Sequence, residues 1–169
     1  MKVSIKVLIN SPIGDVWKVL ADDFDKAGDW MSPVPKSHKI QEGKSASWSP
    51  MVGRICEFTS KWAQGLLANE KITFYDWDKH LMTVEIVPKN GPGLLPIVKN
   101  TLDISAISVG DDQTEVIWTA NPQLKPHGYV LYPLLILGFK KGFWDILEEL
   151  KYFVETGKPH PRKLKKINS

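Results

Sequence analysis

The sequence predicts an α+β fold with about seven antiparallel strands and one long C-terminal helix. Two observations lead to this fold class. Between residues 36 and 121 the chain consists of short segments of alternating apolar and polar residues, joined by links too short for the crossovers that parallel strands need. After residue 138 the apolar positions recur at helical spacing, behind all of the strands.

The N-terminal part of the chain predicts one strand followed by two short helices. Residues 2–9 alternate between apolar and polar side chains and form the first strand. Ser11 and Pro12 are typical of an N-cap and a first helical position, so the first helix begins there. A second short helix is predicted over residues 23–27 and ends at Gly28.

The middle of the chain predicts six further strands with turn-forming residues between them. The exception is the loop at 90–96, which is too long and too apolar for a simple hairpin tip, so we expect it to have a function or to pack on the body. The predicted strands are residues 37–41, 53–62, 67–77, 81–87, 98–109 and 114–120.

The C-terminal part predicts a long amphipathic helix and a basic tail. Apolar residues from Phe139 to Val154 fall on one helical face, and Gly157 ends the helix. Residues 158–169 contain five Lys or Arg and no acid, which indicates a solvated, disordered terminus. The sequence therefore predicts one domain over residues 1–157 and a basic tail over residues 158–169.

The composition excludes several function classes. The net charge is +3, but without the tail 17 basic residues face 19 acidic ones, which argues against a nucleic-acid partner. The only cysteine, Cys56, cannot form an intramolecular disulfide or a thiolate zinc site. None of the four histidines has a metal-ligand spacing, and there is no glycine-rich phosphate loop, so we expect no metal and no cofactor.

The apolar segments are too short for a membrane span or a secretion signal. The longest apolar run, residues 129–139, has eleven residues, whereas a spanning helix needs about 20. Residues 1–9 lack the continuous apolar core of a signal peptide. We therefore expect a cytoplasmic protein that acts as a monomer or a weak homodimer.

Four segments carry a resemblance to a known family. They are SPIGDVW at 11–17, WMSP at 30–33, NEKI at 69–72 followed by Asp76, and TEVIW at 114–118. They resemble the first helix, the Trp–Pro segment, a middle strand and the last strand of the SRPBCC superfamily, which includes START domains, the birch-pollen allergen and polyketide cyclases. The resemblance implies a helix-grip fold, in which a curved sheet wraps around the C-terminal helix and encloses an apolar cavity.

Strand alternation predicts which side chains face this cavity. Charged residues are expected to face water, and side chains alternate between the two faces of a strand. An outward Glu115 therefore places Trp118 on the inner face, and an outward Lys71 places Glu70 there. Plain core packing is the alternative for each inward aromatic residue. The predicted ligand-binding residues are Trp30, Arg54, Phe58, Trp62, Glu70, Ile72, Phe74, Met82, Val84, Ile86, Asn100, Leu102, Ile104, Trp118, Phe139, Phe143 and Leu147.

Glu70 is the polar residue of greatest interest, because it is an acid on a largely apolar inner face. Arg54 is its expected counter-charge, and Asn100 lies on the same inward phase. Two roles remain open. Glu70 is either a catalytic acid or base, with Arg54 stabilising enolate charge, or one half of a structural ion pair that anchors a ligand's head group.

These observations favour a binding protein for a small hydrophobic ligand such as a lipid, a polyketide or a quinone-like molecule. The alternative is an enzyme that resembles polyketide cyclases and dehydratases and acts in the same cavity. A third reading is a transient membrane contact made by the basic tail and by an apolar lip, formed from residues 129–139 and 91–96.

Overall fold

A seven-stranded antiparallel sheet and one long helix form most of the chain in a computed structural model, which describes residues 2–58 and 65–167. This arrangement confirms the predicted α+β, helix-grip fold class. The strands are β1 Val3–Ile9, β2 Lys36–Lys39, β3 Gly53–Glu57, β4 Leu67–Asp76, β5 Leu81–Lys89, β6 Ile97–Gly110 and β7 Gln113–Leu124. The α-helices are α1 Ile13–Trp17, α2 Ala27–Trp30, α3 Tyr132–Thr156 and α4 Pro161–Ile167.

The strand order is β1-β7-β6-β5-β4-β3-β2, so that only β1 leaves the sequential order. It pairs with β7 over its whole length, from Val3 opposite Ala120 to Ile9 opposite Thr114. The segment from α1 to α2 crosses from the β1 edge to β2, at the opposite edge of the sheet. The chain therefore encloses the inner face with short helices at one end and with α3 along its length.

The hydrophobic core lies between this inner face and the helices. On the sheet, Met82 and Val116 are fully buried, and on α3 so are Leu147 and Leu150. From α1, Trp17 is fully buried, and its Nε1 donates to the Tyr75 hydroxyl at 3.1 Å. Burial of these large apolar side chains is the main force that holds the helices against the sheet.

Two details of the short helices differ from the sequence predictions. Pro12, and not Ser11, occupies the N-cap of α1, since its carbonyl accepts from the backbone N–H groups of Asp15 and Val16. The Ser11 carbonyl accepts a hydrogen bond from Thr114 Oγ1 at 2.9 Å instead. Gly28 does not end a helix and lies inside α2 instead. A Cβ atom there would approach the Ser37 backbone nitrogen to 3.1 Å, so that the glycine allows α2 to lie close to β2.

Phe74 does not face the interior, which corrects its predicted inward position. The β4–β5 register shifts between Ile72 and Phe74, and this irregularity inverts the alternation of β4. Phe74 is therefore 47% exposed, whereas Tyr75 takes the inward position and is buried. A bulge of this kind moves every later side chain of its strand to the other face.

The predicted disorder of the basic tail is wrong for residues 161–167, which form α4 against the body. Arg162 contacts Asp145 and Glu148 of α3, each at 2.8 Å. Lys163 is buried, and its Nζ donates to the backbone carbonyls of Met31 and Val34 at 3.1 and 2.5 Å. The boundary at residue 157 remains a prediction.

In the described ranges no helix is both long and apolar enough to cross a membrane.

Gly53, the first residue of β3, lies close to the backbone of β4 and provides a test of the fold. Its φ is +154°, and an added Cβ would lie 2.0 Å from the Glu70 carbonyl oxygen. Gly53→Ala is expected to lower the free energy of unfolding by about 3 kcal/mol in urea titrations. Gly142→Ala is the control, because its Cβ would meet nothing on α3 and should be neutral or stabilise by up to about 1 kcal/mol. Equal effects of the two substitutions would contradict the tight β3–β4 contact.

Candidate functional site

A cavity of about 290 Å³ lies between the inner face of the sheet and α3. Strands β3 to β7, the loop after α2, the loop between β5 and β6, and α3 contribute its walls. All of the described residues that line it are apolar except Arg54, Glu70 and Asn100. The site is therefore an apolar chamber with a small polar group on one wall.

Nine of the sequence-predicted ligand-binding residues line this cavity, and these nine come from five strands or strand ends and from α3. The strand residues among them face the interior, as the alternation of side chains along each strand indicates. They are Arg54, Phe58, Glu70, Ile86, Asn100, Leu102, Trp118, Phe139 and Phe143.

Seven other predicted residues do not line the cavity, and most of them are core. Phe74 faces outward because of the bulge in β4, and Trp62 lies outside the described residues. Six more are at most 3% exposed and pack in the hydrophobic core: Trp30, Ile72, Met82, Val84, Ile104 and Leu147.

The register of the sheet explains where core ends and cavity begins. Arg54, Glu70, Ile86 and Asn100 are direct neighbours in one row across β3, β4, β5 and β6, and all four line the cavity. Two rows further along the strands, Met82 pairs with Tyr75 and Ile104, where Trp17 of α1 stacks on Tyr75 and fills the space. The alternation of side chains shows which residues face the interior. Whether such a residue lines the cavity or lies in the core depends on whether α1 covers that part of the sheet.

The sequence did not predict the lining residues of the loops, four residues at the ends of β4, β5 and β6, or one residue of α3. The only signal for them was the apolar character of residues 90–96, which predicted a functional or packed loop. The lining residues that were not predicted are Met31, Pro33, Val34, Leu66, Leu67, Ala68, Pro88, Leu95, Ile97 and Ile146.

Arg54 and Glu70 form a buried ion pair on the cavity wall. Both residues are 6% exposed, and Arg54 Nε donates to Glu70 Oε2 at 2.7 Å. Arg54 also donates from its Nη1 to the Phe24 carbonyl at 2.7 Å and lies 3.9 Å above the Phe24 ring. Burial disfavours the charged guanidinium, but the Glu70 carboxylate outweighs burial and holds the pKa of Arg54 above its ordinary value.

Two polar atoms on the cavity wall have no hydrogen-bond partner in the part of the chain that the structure describes. They are Asn100 Oδ1 and Trp118 Nε1, from residues that are 6% and 3% exposed. An unpaired buried polar atom costs about 1–3 kcal/mol, so a ligand that pairs with either atom gains from it.

Cys56 and the metal-ligating residue types do not contribute a reactive centre. Cys56 is fully buried beside the ion pair, and burial raises the pKa of its thiol to about 12. The thiol therefore stays protonated at neutral pH and is a poor nucleophile. Within residues 2–58 and 65–167, no three His, Cys, Asp or Glu side chains are grouped so that they could hold a metal ion.

A second pocket of about 500 Å³ adjoins the cavity near the N-terminal half of α3. The two spaces share five lining residues, so these side chains lie between the cavity and the outer pocket: Pro33, Phe58, Phe139, Phe143 and Ile146. Nearby, the buried Glu149 accepts a hydrogen bond from the Ser32 backbone N–H at 2.7 Å. This bond and the Lys163 contacts fix residues 31–34, which form a wall of the cavity.

Comparison with known proteins gives a family match and several similar folds. Residues 1–155 match the family described as polyketide cyclase / dehydrase and lipid transport. No curated protein sequence matches the chain at a significant level. A START superfamily protein from Mycobacterium smegmatis has a TM-score of 0.72 at 13% identity, over 93% of this chain and 99% of that one.

Two enzymes have a similar fold. The Zhui aromatase/cyclase from Streptomyces sp. R1128 has a TM-score of 0.67 at 14% identity, over 92% of this chain and 93% of that one. Truncated norcoclaurine synthase from Thalictrum flavum has a TM-score of 0.68 at 17% identity, over 92% of this chain and 94% of that one. At these identities the likeness shows the fold alone.

The buried ion pair makes a prediction about stability. Arg54→Met leaves the Glu70 carboxylate buried without its counter-charge, so we expect a loss of about 3–5 kcal/mol in the free energy of unfolding, measured in urea. The double variant Arg54→Met with Glu70→Met should recover part of this loss, because it removes both charges. Lys6→Met is the control, since it breaks the exposed Lys6–Glu115 pair and should change stability by less than about 1 kcal/mol. A loss for Arg54→Met no greater than that of the control would contradict the buried pair.

Proposed function

The chain belongs to the polyketide cyclase / dehydrase and lipid transport family, within the SRPBCC superfamily, and we propose that it binds and carries one small hydrophobic molecule in the cavity under α3. A function of hydrophobic-ligand binding or cyclisation in general follows from this membership. The choice of binding, the residues and the kind of ligand are our proposal. The observation that carries it is the apolar chamber between sheet and helix.

The driving force for binding is the removal of apolar ligand surface from water. Each Å² of apolar surface that is buried contributes about 25 cal/mol before the costs of association. The volume of about 290 Å³ is near the lower end of the range for small-molecule pockets, roughly 300–1,000 Å³. These dimensions favour a compact ligand with one or two small ring systems or one short chain.

The polar atoms on the wall would orient such a ligand. Asn100 Oδ1 is an acceptor and pairs with a hydroxyl or N–H group of the ligand, whereas Trp118 Nε1 is a donor and pairs with an oxygen. Asn100 and Trp118 lie on neighbouring strands, two inward positions apart. Because one atom accepts and the other donates, they pair with different groups of the ligand. The proposed ligand is largely apolar, with a donor group near Asn100 and an acceptor further along.

The alternative function is an enzyme of the cyclase or dehydratase type in the same cavity. The family description and the similar fold of an aromatase/cyclase support it, and so does the acid on the wall. Against it, Glu70 is bonded to Arg54, and Arg54 in turn to the Phe24 carbonyl, so that neither is held ready for a substrate. The two functions separate on Glu70→Gln, measured on protein that a thermal melt shows to be folded, because the substitution also removes the counter-charge of Arg54. A proton-transferring enzyme then loses its turnover, whereas a carrier keeps its dye binding.

The proposal is tested with N-phenyl-1-naphthylamine, an apolar dye with a single N–H donor. Its fluorescence should rise saturably with the wild-type protein. Ile86→Trp places an indole in the cavity and should weaken dye binding by about tenfold or more, because it fills the ligand's space. The control is Ile107→Trp, the same change at a residue of β6 that is 48% exposed, and it should leave affinity unchanged. Thermal melts verify that both variants fold. No saturable signal, or equal affinity of the two variants, would exclude the proposed site.

A further inference from the structure

The loop between β5 and β6 and the start of α3 carry an unusual number of exposed apolar side chains. Leu94 is 85% exposed, Val130 83%, Leu134 68% and Leu137 65%, and two turns of helix beyond, Trp144 is 48% exposed. The first four belong to the apolar lip that the sequence indicates at residues 91–96 and 129–139, and the structure extends this lip to Trp144. Side chains that are exposed to this extent contact little of their own protein, so they are available to a partner.

The lip is one continuous surface and not a set of scattered residues. On α3, Leu134, Leu137 and Trp144 follow each other at intervals of three and seven, which places them on one helical face, and Val130 lies in the turn that leads into the helix. The β5–β6 loop makes two contacts with the segment just before α3. His127 Nε2 lies 3.4 Å from the Leu94 carbonyl oxygen, and Lys125 Nζ donates to the Gly93 carbonyl at 3.3 Å.

The same segments are positively charged. Residues 86–102 and 120–144 contain five lysines and no Asp or Glu. Two of these lysines pair with acids of neighbouring positions, Lys99 with Glu85 and Lys141 with Asp145. The other three, Lys89, Lys125 and Lys140, form no ion pair with a carboxylate in the ranges that the structure describes. Protruding apolar side chains surrounded by cationic charge fit an anionic lipid surface.

The lip also adjoins the cavity. Leu95 and Ile97, one and three residues after Leu94, line it, as do Phe139 and Phe143 on α3. Leu134 lines the outer pocket, which shares five lining residues with the cavity. A molecule that leaves a bilayer at the lip would thus enter the cavity with little of its surface exposed to water.

We propose that the apolar lip is a membrane-docking surface, which inserts into the interface of an anionic bilayer and brings the cavity to the lipid. The inference rests on the proposed function, since the docked cavity is the one assigned to a hydrophobic ligand. Docking is peripheral and reversible, because apolar insertion of a few side chains and the charge of a few lysines each contribute only part of the affinity.

Co-sedimentation with vesicles tests the docking surface. The full chain is mixed with vesicles of phosphatidylcholine alone, or of phosphatidylcholine and phosphatidylglycerol in equal parts. Binding is expected to the second kind and to weaken as salt rises. The double variant Leu134→Glu with Leu137→Glu should weaken it by about tenfold or more, because it places carboxylates in the inserted face. Ile107→Glu with Val109→Glu, the same change at two exposed positions of β6, is the matched control and should bind more strongly than the lip variant.

Three outcomes would overturn the docking surface. They are no sedimentation of the wild-type protein with anionic vesicles, equal loss in the lip and control variants, and a wild-type dimer that the lip variant dissociates while vesicles are not bound. The last outcome would assign the lip to a second copy of the chain.

Dye binding in solution keeps the two proposals separate. N-phenyl-1-naphthylamine binding without vesicle binding overturns the lip and leaves the cavity proposal intact. Vesicle binding without dye binding supports the lip and contradicts the cavity proposal. Loss of vesicle binding in the lip variant, with dye affinity retained, supports both.

Discussion

The antiparallel register of the sheet is the constraint on which the rest of the structure depends. It places Arg54, Glu70, Ile86 and Asn100 side by side across four strands, and it places Met82 and Ile104 two rows away under the reach of α1. The first group lines an open space, and the second is closed core. The inner face of the sheet therefore forms core in one part and a cavity wall in another. The reason is that the short helix α1 covers only the first part, whereas α3 spans the rest.

The polar residues of the cavity are tolerated because most of their groups are paired. The Arg54–Glu70 pair is completed by the Phe24 carbonyl and ring, so that neither charge is left uncompensated in an apolar wall. Asn100 Oδ1 and Trp118 Nε1 differ, since they remain without partners in the described structure. A fold that only needed a stable core would lose little by replacing them with apolar residues, whereas a ligand site has use for both.

Much of the fold and about half of the predicted site could be derived from the sequence. Period-two alternation identified the inner face of each strand, and the spacing after residue 138 identified α3. The errors have local physical causes. A bulge in β4 turned Phe74 outward, and alternation alone could not show that Trp17 would fill the space beside Met82. The basic composition of the terminus led to a prediction of disorder, because it gave no sign that acidic residues of α3 pair with Arg162 and hold it in place.

The central claim is that the space between the row of Ile86 and Asn100 and the helix α3 is a ligand chamber. A crystal structure of the protein grown with N-phenyl-1-naphthylamine tests this most directly. We expect the dye between Ile86 and Phe143, with its N–H directed at Asn100 Oδ1. Density for the dye only at the surface, or side chains of Trp118 and Phe143 that close the space, would contradict the account.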